Sequence, residues 1–116
     1  MTERADPMQQ KWLQRAAKFL HGLEDPASSG SRSVPDGPIT LYGTCYAALA
    51  KSYIGLDAAL PQPTRQFILD CQDAQTGLLI GPELKGYFPD NSASHDREHL
   101  ALHLTCTALA TCQHFQ

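Results

Sequence analysis

The stretch that decides the fold is SHDREHLALHLTCTALATCQHF, residues 94–115. After Glu98 it contains no Asp, Glu, Lys or Arg, and at 100° per residue its histidines share one stripe with leucine and alanine on either side. A helix that is apolar on both sides is typical of one surrounded by protein. The pattern therefore predicts an inner helix over residues 95–115, with Ser94 as its N-cap and Asp96 in its first turn.

Length and charge limit the classes of function. The chain has 116 residues, which predicts a single domain, 1–116, with a modest core. The formal net charge of −3 gives no basic patch, so nucleic acid is not an expected partner. Apolar runs are shorter than the roughly 20 residues that span a membrane, and the N-terminus lacks a signal-like apolar core. We expect a cytoplasmic protein without a membrane span.

The cysteines lack both CxxC spacing and the density of a disulfide scaffold. Three of them lie inside helical patterns among Ala, Leu and Tyr. The sequence predicts reduced, small, buried core residues at Cys45, Cys71, Cys106 and Cys112.

Two amphipathic helices are predicted in the chain. Asp6 and Pro7 are typical of a helix start, and the apolar stripe that follows predicts a helix over residues 7–23 with one face in water. A shorter helix over residues 63–73 carries apolar side chains on one side and Arg, Gln and Asp on the other.

A second, nearly uncharged helix is predicted over residues 39–54. It contains no charged residue before Lys51, which indicates burial. Gly43 indicates either close packing or a later helix start, and Gly55 is a natural end. The connection 74–93 is long and too apolar for a free loop, so we expect it to be packed down.

The sequence repeats itself. FLHGLED (19–25) and TCYAALA (44–50) return as FILDCQD (67–73) and TCTALA (105–110). Each half places an amphipathic helix, a glycine-containing loop and a nearly uncharged helix in the same order. This repeat predicts an all-α fold of two αα-hairpins, with four principal helices at about 7–23, 39–54, 63–73 and 95–115.

The turn after the third helix adds a resemblance. FILDCQDAQTGLL (67–79) contains a QDxxTG turn, and with the alternating helices it resembles the α/α-toroid superfamily of terpenoid cyclases and protein prenyltransferases. The resemblance implies about two of six hairpins of such a toroid. It therefore implies either a fragment of a larger toroid or a homo-oligomer.

The catalytic motifs of that superfamily are absent. DDxxD, DxDD and QxxxGxW do not occur, and the Asp-x-Cys of the zinc set is replaced by adjacent Asp70 and Cys71. No catalytic residue of the superfamily is carried over to this chain.

The histidine stripe offers metal chemistry. His95 with His99, or His99 with His103, have the i, i+4 spacing that lets two imidazoles share one ion. His95 and His103 are about 12 Å apart along the axis, so one pair needs a third ligand. HExxH is absent. Zinc or another divalent metal could be held by His99, His103 and Cys106, with Asp96 or a residue of 74–93 as other third ligands.

Two metal-free alternatives stay open for the same stripe. The catalytic set would be His95, Asp96, His99 and His103, with an imidazole as general acid or base beside a carboxylate. In the other alternative the histidines are structural and donate hydrogen bonds to loop carbonyls.

The leading functional hypothesis combines these features. An α/α-toroid-like module of a larger or oligomeric enzyme would bind an apolar or sugar-like small molecule on the concave side of helices 39–54 and 95–115. Tyr42 and Tyr46 would contact that substrate, although aromatic residues at helical spacing are usually core residues. The alternatives are a non-enzymatic helical interaction or oligomerisation module and a small metal-binding helical protein.

Overall fold

The computed structural model describes residues 6–84 and 95–116, with only the backbone of 95–97. Over these residues the fold is mainly helical, with one antiparallel ribbon that pairs Ser31 with Thr40. The predicted all-α class is thus confirmed at the level of a mainly helical chain. The elements in order are α1 Pro7–Leu23, β1 Ser31–Arg32, β2 Ile39–Thr40, α2 Leu41–Tyr53, α3 Gln62–Asp70, α4 Gly81–Leu84 and α5 His95–His114.

Helix α1 has the predicted bounds because its start is encoded locally. The Asp6 carboxylate accepts a hydrogen bond from the Gln9 backbone N–H at 2.8 Å, and the Gln9 side chain accepts one from the Asp6 N–H. Pro7 follows in the first turn. This capping box satisfies two of the donors that a helix start leaves free.

Helix α2 begins two residues later than predicted. Ile39 and Thr40 form β2, and the Thr40 hydroxyl accepts a hydrogen bond from the Gly43 N–H at 2.8 Å. Gly43 is also closely packed, because a Cβ there would lie 2.8 Å from the backbone of Arg32. The close packing and the later helix start that Gly43 indicated as alternatives are therefore both observed. At the other end Gly55 has the left-handed φ of 83° expected of a helix stop.

The described part of the connection after α3, residues 74–84, is packed down as expected, but it is not structureless. Helix α3 ends at Asp70 rather than Asp73 because the chain turns into an isolated bridge between Gln72 and Leu79. Leu79 and Leu84 are buried, the latter in the short helix α4. Residues 85–94, including the predicted N-cap Ser94, lie outside the described part of the chain.

Helices α2 and α5 run side by side in the same direction. The Tyr42 hydroxyl contacts His103, and eleven residues further along α5 His114 contacts Ser52 near the end of α2. The main core cluster joins these two helices to α3, and a smaller cluster joins α1 to α2. The main cluster includes Leu41, Cys45, Ala48, Ile68, Ala101, Leu104 and Ala108, and the smaller one Leu20, Leu23 and Ala47.

The prediction that α5 is enclosed on all sides is wrong. Ala101, Leu104 and Ala108 are buried, but Leu102 and Leu109 are more than half exposed. A helix with apolar residues on both sides is expected to pack against protein on both sides. Within the described chain, only the side of α5 with Ala101, Leu104 and Ala108 is buried.

The apolar stripe of α1 is also only partly buried. Leu20 and Leu23 belong to the core, whereas Met8, Trp12 and Phe19 are more than half exposed. The helix therefore packs on α2 through its C-terminal turns alone.

The prediction of reduced, buried cysteines is confirmed at some positions and wrong at another. All four thiols are free, Cys45 is buried and Cys71 and Cys112 are half-buried. Cys106 is exposed, so its predicted burial is wrong. At 100° per residue it lies on the same side of α5 as exposed Leu102 and Leu109.

The repeat in the sequence is also a repeat of local structure. After α1 the Asp25 carboxylate accepts a hydrogen bond from the Ser28 hydroxyl at 2.8 Å, and after α3 the Asp73 carboxylate accepts one from the Thr76 hydroxyl at 2.7 Å. These pairs are 48 positions apart. The same spacing relates Ser29 to Gly77, both with positive φ, and the backbone hydrogen bonds from Asp25 to Gly30 and from Asp73 to Leu78.

Each turn is tied to its following long helix by one threonine. The Ser31 N–H donates to the Thr44 hydroxyl at 2.9 Å, and the Leu79 N–H donates to the Thr105 hydroxyl at 3.0 Å. Each threonine hydroxyl in turn donates to a carbonyl one helical turn earlier. Positions of α2 and α5 therefore correspond at a spacing of 61. We call residues 19–54 repeat 1 and residues 67–115 repeat 2.

Candidate functional site: a tyrosine–histidine face

Helices α2 and α5 together expose a face of aromatic and histidine side chains. Tyr42 lies beside His103 at one end, and Tyr53 lies beside His114 at the other. We call Tyr42, Tyr46, Tyr53, His103 and His114 the tyrosine–histidine face. It contains no Asp, Glu, Lys or Arg.

The shortest contact on this face joins a phenol to an imidazole. The Tyr42 hydroxyl and Nδ1 of His103 are 2.6 Å apart. The Tyr46 ring stacks on the Tyr42 ring, with centroids 5.8 Å apart and planes within 5° of parallel. The stack and the hydrogen bond together hold Tyr42 in one position between the two helices.

Burial raises the pKa of Tyr42, and the neighbouring Tyr46 and Glu83 raise it further. The phenol therefore stays protonated at neutral pH. In one tautomer of His103 the phenol donates to Nδ1, and in the other Nδ1 carries the proton and the phenol oxygen accepts it.

The far end of the face is also held in place. The Ser52 hydroxyl lies 2.9 Å from Nε2 of His114. The His114 ring is tilted against Tyr53 and meets Phe115 edge-on, with centroids 5.3 and 5.0 Å away. These contacts join the last turns of α2 and α5.

The start of α2, and with it Tyr42, is fixed by a residue far along the chain. One carboxylate oxygen of Glu83 accepts from the Leu41 N–H at 2.7 Å, and the other accepts from the Tyr42 N–H at 2.9 Å. Sequence reasoning missed this residue. The available signal was a lone carboxylate in the apolar segment LLIGPEL, residues 78–84.

The structure brings together only part of the predicted catalytic set. His103 meets Tyr42, and Tyr46 stacks beside them, so three predicted site residues form one cluster. His99 is exposed one turn before His103 on α5. His95 and Asp96 belong to the first turn of α5, but their side chains lie outside the described part. Their predicted roles stay predictions.

The predicted metal site stays a prediction as well. Among the side chains that the structure describes, no three His, Cys, Asp or Glu residues form a group that could hold one metal ion. His103 has Nδ1 engaged by Tyr42, so only Nε2 is available to a ligand. A site completed by His95 or Asp96 would use side chains beyond those described.

A second polar cluster, which sequence reasoning did not select, lies between α1 and α2. Buried Lys51 forms an ion pair with Glu24, whose carboxylate is 3.4 Å from Nδ1 of His21. Burial lowers the pKa of Lys51, and the Asp57 carboxylate opposes that shift. An open cleft of about 370 Å³ adjoins these groups. Because Glu24 satisfies the ammonium, the cluster ties the end of α1 to α2.

Comparison of the chain with protein-family models, curated proteins and solved structures finds no match. Across residues 6–84 and 95–116, no helix has the length and apolar character needed to cross a membrane.

Proposed function

We propose that the chain is an α/α-toroid-like module of a larger or oligomeric enzyme. Its tyrosine–histidine face would bind an uncharged apolar or sugar-like small molecule. The observation that carries this proposal is the 2.6 Å contact between Tyr42 and His103 on a face whose five described side chains include no Asp, Glu, Lys or Arg.

The chemistry of the face favours this ligand class. Stacked tyrosine rings offer flat apolar surface together with hydroxyl groups, which suits a sugar ring or an unsaturated hydrocarbon. Among the described side chains of the face there is no Lys or Arg, so a phosphate or carboxylate ligand would lose hydration without meeting a permanent positive charge. A neutral ligand incurs no such cost.

The repeated local structure supports the toroid-like architecture. The Asp25 and Asp73 turns follow the outer helices, and the two long helices α2 and α5 run parallel, as the inner helices of successive hairpins do. The shared face would then line the concave side. His103 would act as general acid or base with Tyr42 as its hydrogen-bonding neighbour, and His95, Asp96 and His99 would extend the set towards the helix start.

The first test is ligand-dependent thermal stability of the full chain. We expect at least one neutral saccharide or prenyl-type alcohol to raise the melting temperature by a few degrees, because a ligand that binds only the folded state stabilises it by mass action. Matched anionic compounds should give no shift.

Three variants locate the binding surface. Tyr42→Phe keeps the ring and removes the hydroxyl, and His103→Ala removes its neighbour, so both should reduce the shift. His21→Ala changes an exposed histidine outside the face and should leave the shift unchanged. A panel without any stabilising neutral compound, or a shift that persists in both site variants, would contradict the proposal.

A non-enzymatic interaction module is the second candidate. The observation that favours it is the exposure of Leu102 and Leu109 along one side of α5. Apolar side chains aligned on one helix side are typical of a contact surface.

A further inference from the structure

The two repeats allow each residue of α5 to be compared with its counterpart in α2. Thr44 and Thr105 accept the same hydrogen bond from the preceding turn, which sets the alignment. At this spacing of 61 residues, three positions of α2 have counterparts on one side of α5. These pairs are Leu41 with Leu102, Cys45 with Cys106, and Ala48 with Leu109.

In α2 these three positions form the contact with the next repeat. Leu41 and Cys45 are fully buried, and they share a core cluster with Ala101 and Leu104 of α5. The side of α2 that carries them is therefore the surface through which repeat 1 packs on repeat 2.

In α5 the counterparts are uncovered. Leu102 is 55% exposed, Leu109 is 57% exposed, and Cys106 is exposed as well. Repeat 2 thus displays the same kind of surface that repeat 1 buries. We call Leu102, Cys106 and Leu109 the trailing edge.

Repeat 1 shows the matching half of this interface. Phe67 of α3 packs over Gly30 of repeat 1, where a Cβ would lie 2.9 Å from its ring. Its counterpart 48 positions earlier, Phe19, is 54% exposed.

An apolar groove of about 220 Å³ lies between α1 and α2 on repeat 1, and Leu20 and Ala47 are among the residues that line it. These two correspond to Ile68 and Ala108, which are fully buried in repeat 2. We call Phe19 and this groove the leading edge.

We propose that the trailing edge binds the leading edge of a second copy of this chain, head to tail, in an arrangement like the packing of repeat 2 on repeat 1. Leu78 stands where repeat 1 has Gly30, so Phe19 of the second copy would pack beside this residue rather than over a glycine. Both surfaces come from the same sequence, and each is the counterpart of one side of an interface that the chain already forms. The contact is heterologous, because the two surfaces differ and each copy keeps one edge open. The groove is also lined by Tyr46 of the tyrosine–histidine face, so the two proposals share that residue. Their tests stay distinguishable, because one measures ligand-dependent melting temperature and the other measures molar mass.

The test is the molar mass of the full chain, measured by sedimentation velocity over a concentration series. We expect the mass to rise above that of the monomer as concentration rises. Leu102→Glu on the trailing edge and Phe19→Glu on the leading edge should each weaken association at least about tenfold, because a buried unpaired carboxylate is unfavourable.

Leu69→Glu is the matched control. Leu69 is 50% exposed on α3, and its counterpart His21 is exposed too, so this position is not part of the proposed interface. Its association should equal that of the wild type, and circular dichroism should show that all three variants are folded.

Mixing the two edge variants distinguishes head-to-tail binding from a symmetric dimer. Leu102→Glu keeps an intact leading edge and Phe19→Glu keeps an intact trailing edge, so the mixture should form a one-to-one complex that neither variant forms alone. Monomers at every wild-type concentration would overturn the proposal. So would strong self-association of either edge variant, or a mixture that stays monomeric.

Cys106 gives a readout that needs no variant. Its reaction with a thiol reagent should slow as the wild-type concentration rises, because the second copy covers it. A rate independent of concentration would contradict the proposed contact. If an edge variant does not fold, this measurement still decides the question.

Discussion

At the scale of single residues, hydrogen bonds from small polar side chains position the long helices α2 and α5. Thr44 and Thr105 each join a turn to a helix through one hydroxyl that both accepts and donates. Cys45, next to Thr44 on α2, is buried in the main core cluster. Such groups tolerate little change in charge, because charging a buried group without compensation is costly.

Cys45 gives a prediction about alkaline pH. Burial raises the pKa of its thiol to about 11 from its ordinary value of 9.0. Cys112 and Glu83 raise the pKa further, and Thr111 opposes the shift. Above pH 9 the unfolded thiol ionises while the folded one does not, so the free energy of unfolding should fall until about pH 11. The loss is at most about 3 kcal/mol.

Denaturant unfolding as a function of pH checks this prediction. Cys45→Ala should flatten the decline, and Cys106→Ala, at an exposed thiol, should not. A residual slope is expected in Cys45→Ala, since burial also raises the pKa of Cys71 to about 12. Equal slopes in wild type and Cys45→Ala would show that the thiol ionises as easily in the folded state.

At the scale of elements, the start of α2 has two caps of different origin. Thr40 is a local N-cap, and Glu83 adds a carboxylate from α4 to the first turn. A negative group at a helix start is favoured by the helix dipole as well as by its hydrogen bonds. The tyrosine–histidine face begins at this turn, so the cap also positions the site.

Glu83 therefore gives a prediction about stability. Glu83→Ala leaves the N–H groups of Leu41 and Tyr42 without their acceptors and should lower the free energy of unfolding by about 1–2 kcal/mol. Glu83→Gln keeps one acceptor oxygen and should cost less. Asp36→Ala, at an exposed turn residue, serves as the control in the same urea titration. A Glu83→Ala variant as stable as the control would mean that water replaces the carboxylate at no cost.

At the scale of the whole molecule, stability is expected to be uneven. The core lies between α2, α3 and α5, whereas every residue from Pro7 to Arg15 of α1 is exposed. A helical segment without tertiary contact opens easily. Native-state hydrogen exchange at low protein concentration should thus be slowest around Cys45 and Leu104 and fastest in the first half of α1. Equal protection along α1 would contradict this picture.

The sequence by itself determined the features that depend on neighbouring residues. The capping box at Asp6 and Gln9 set the start of α1, and periodicity located α2 and α5 to within two residues at each end. The repeat could be recognised in the sequence because the same kind of turn, with an aspartate that accepts from a hydroxyl three residues later, occurs at Asp25 and Asp73. Each of these signals acts over a few residues.

Only the tertiary structure decided which apolar sides are covered and which polar groups meet. The pairing of Tyr42 with His103 and the cap from Glu83 join residues 61 and 42 positions apart. Periodicity marks Leu104 and Leu102 as equally apolar, yet one is buried and the other exposed. The physical reason is that burial depends on which element occupies the neighbouring space, and a local pattern carries no record of that neighbour.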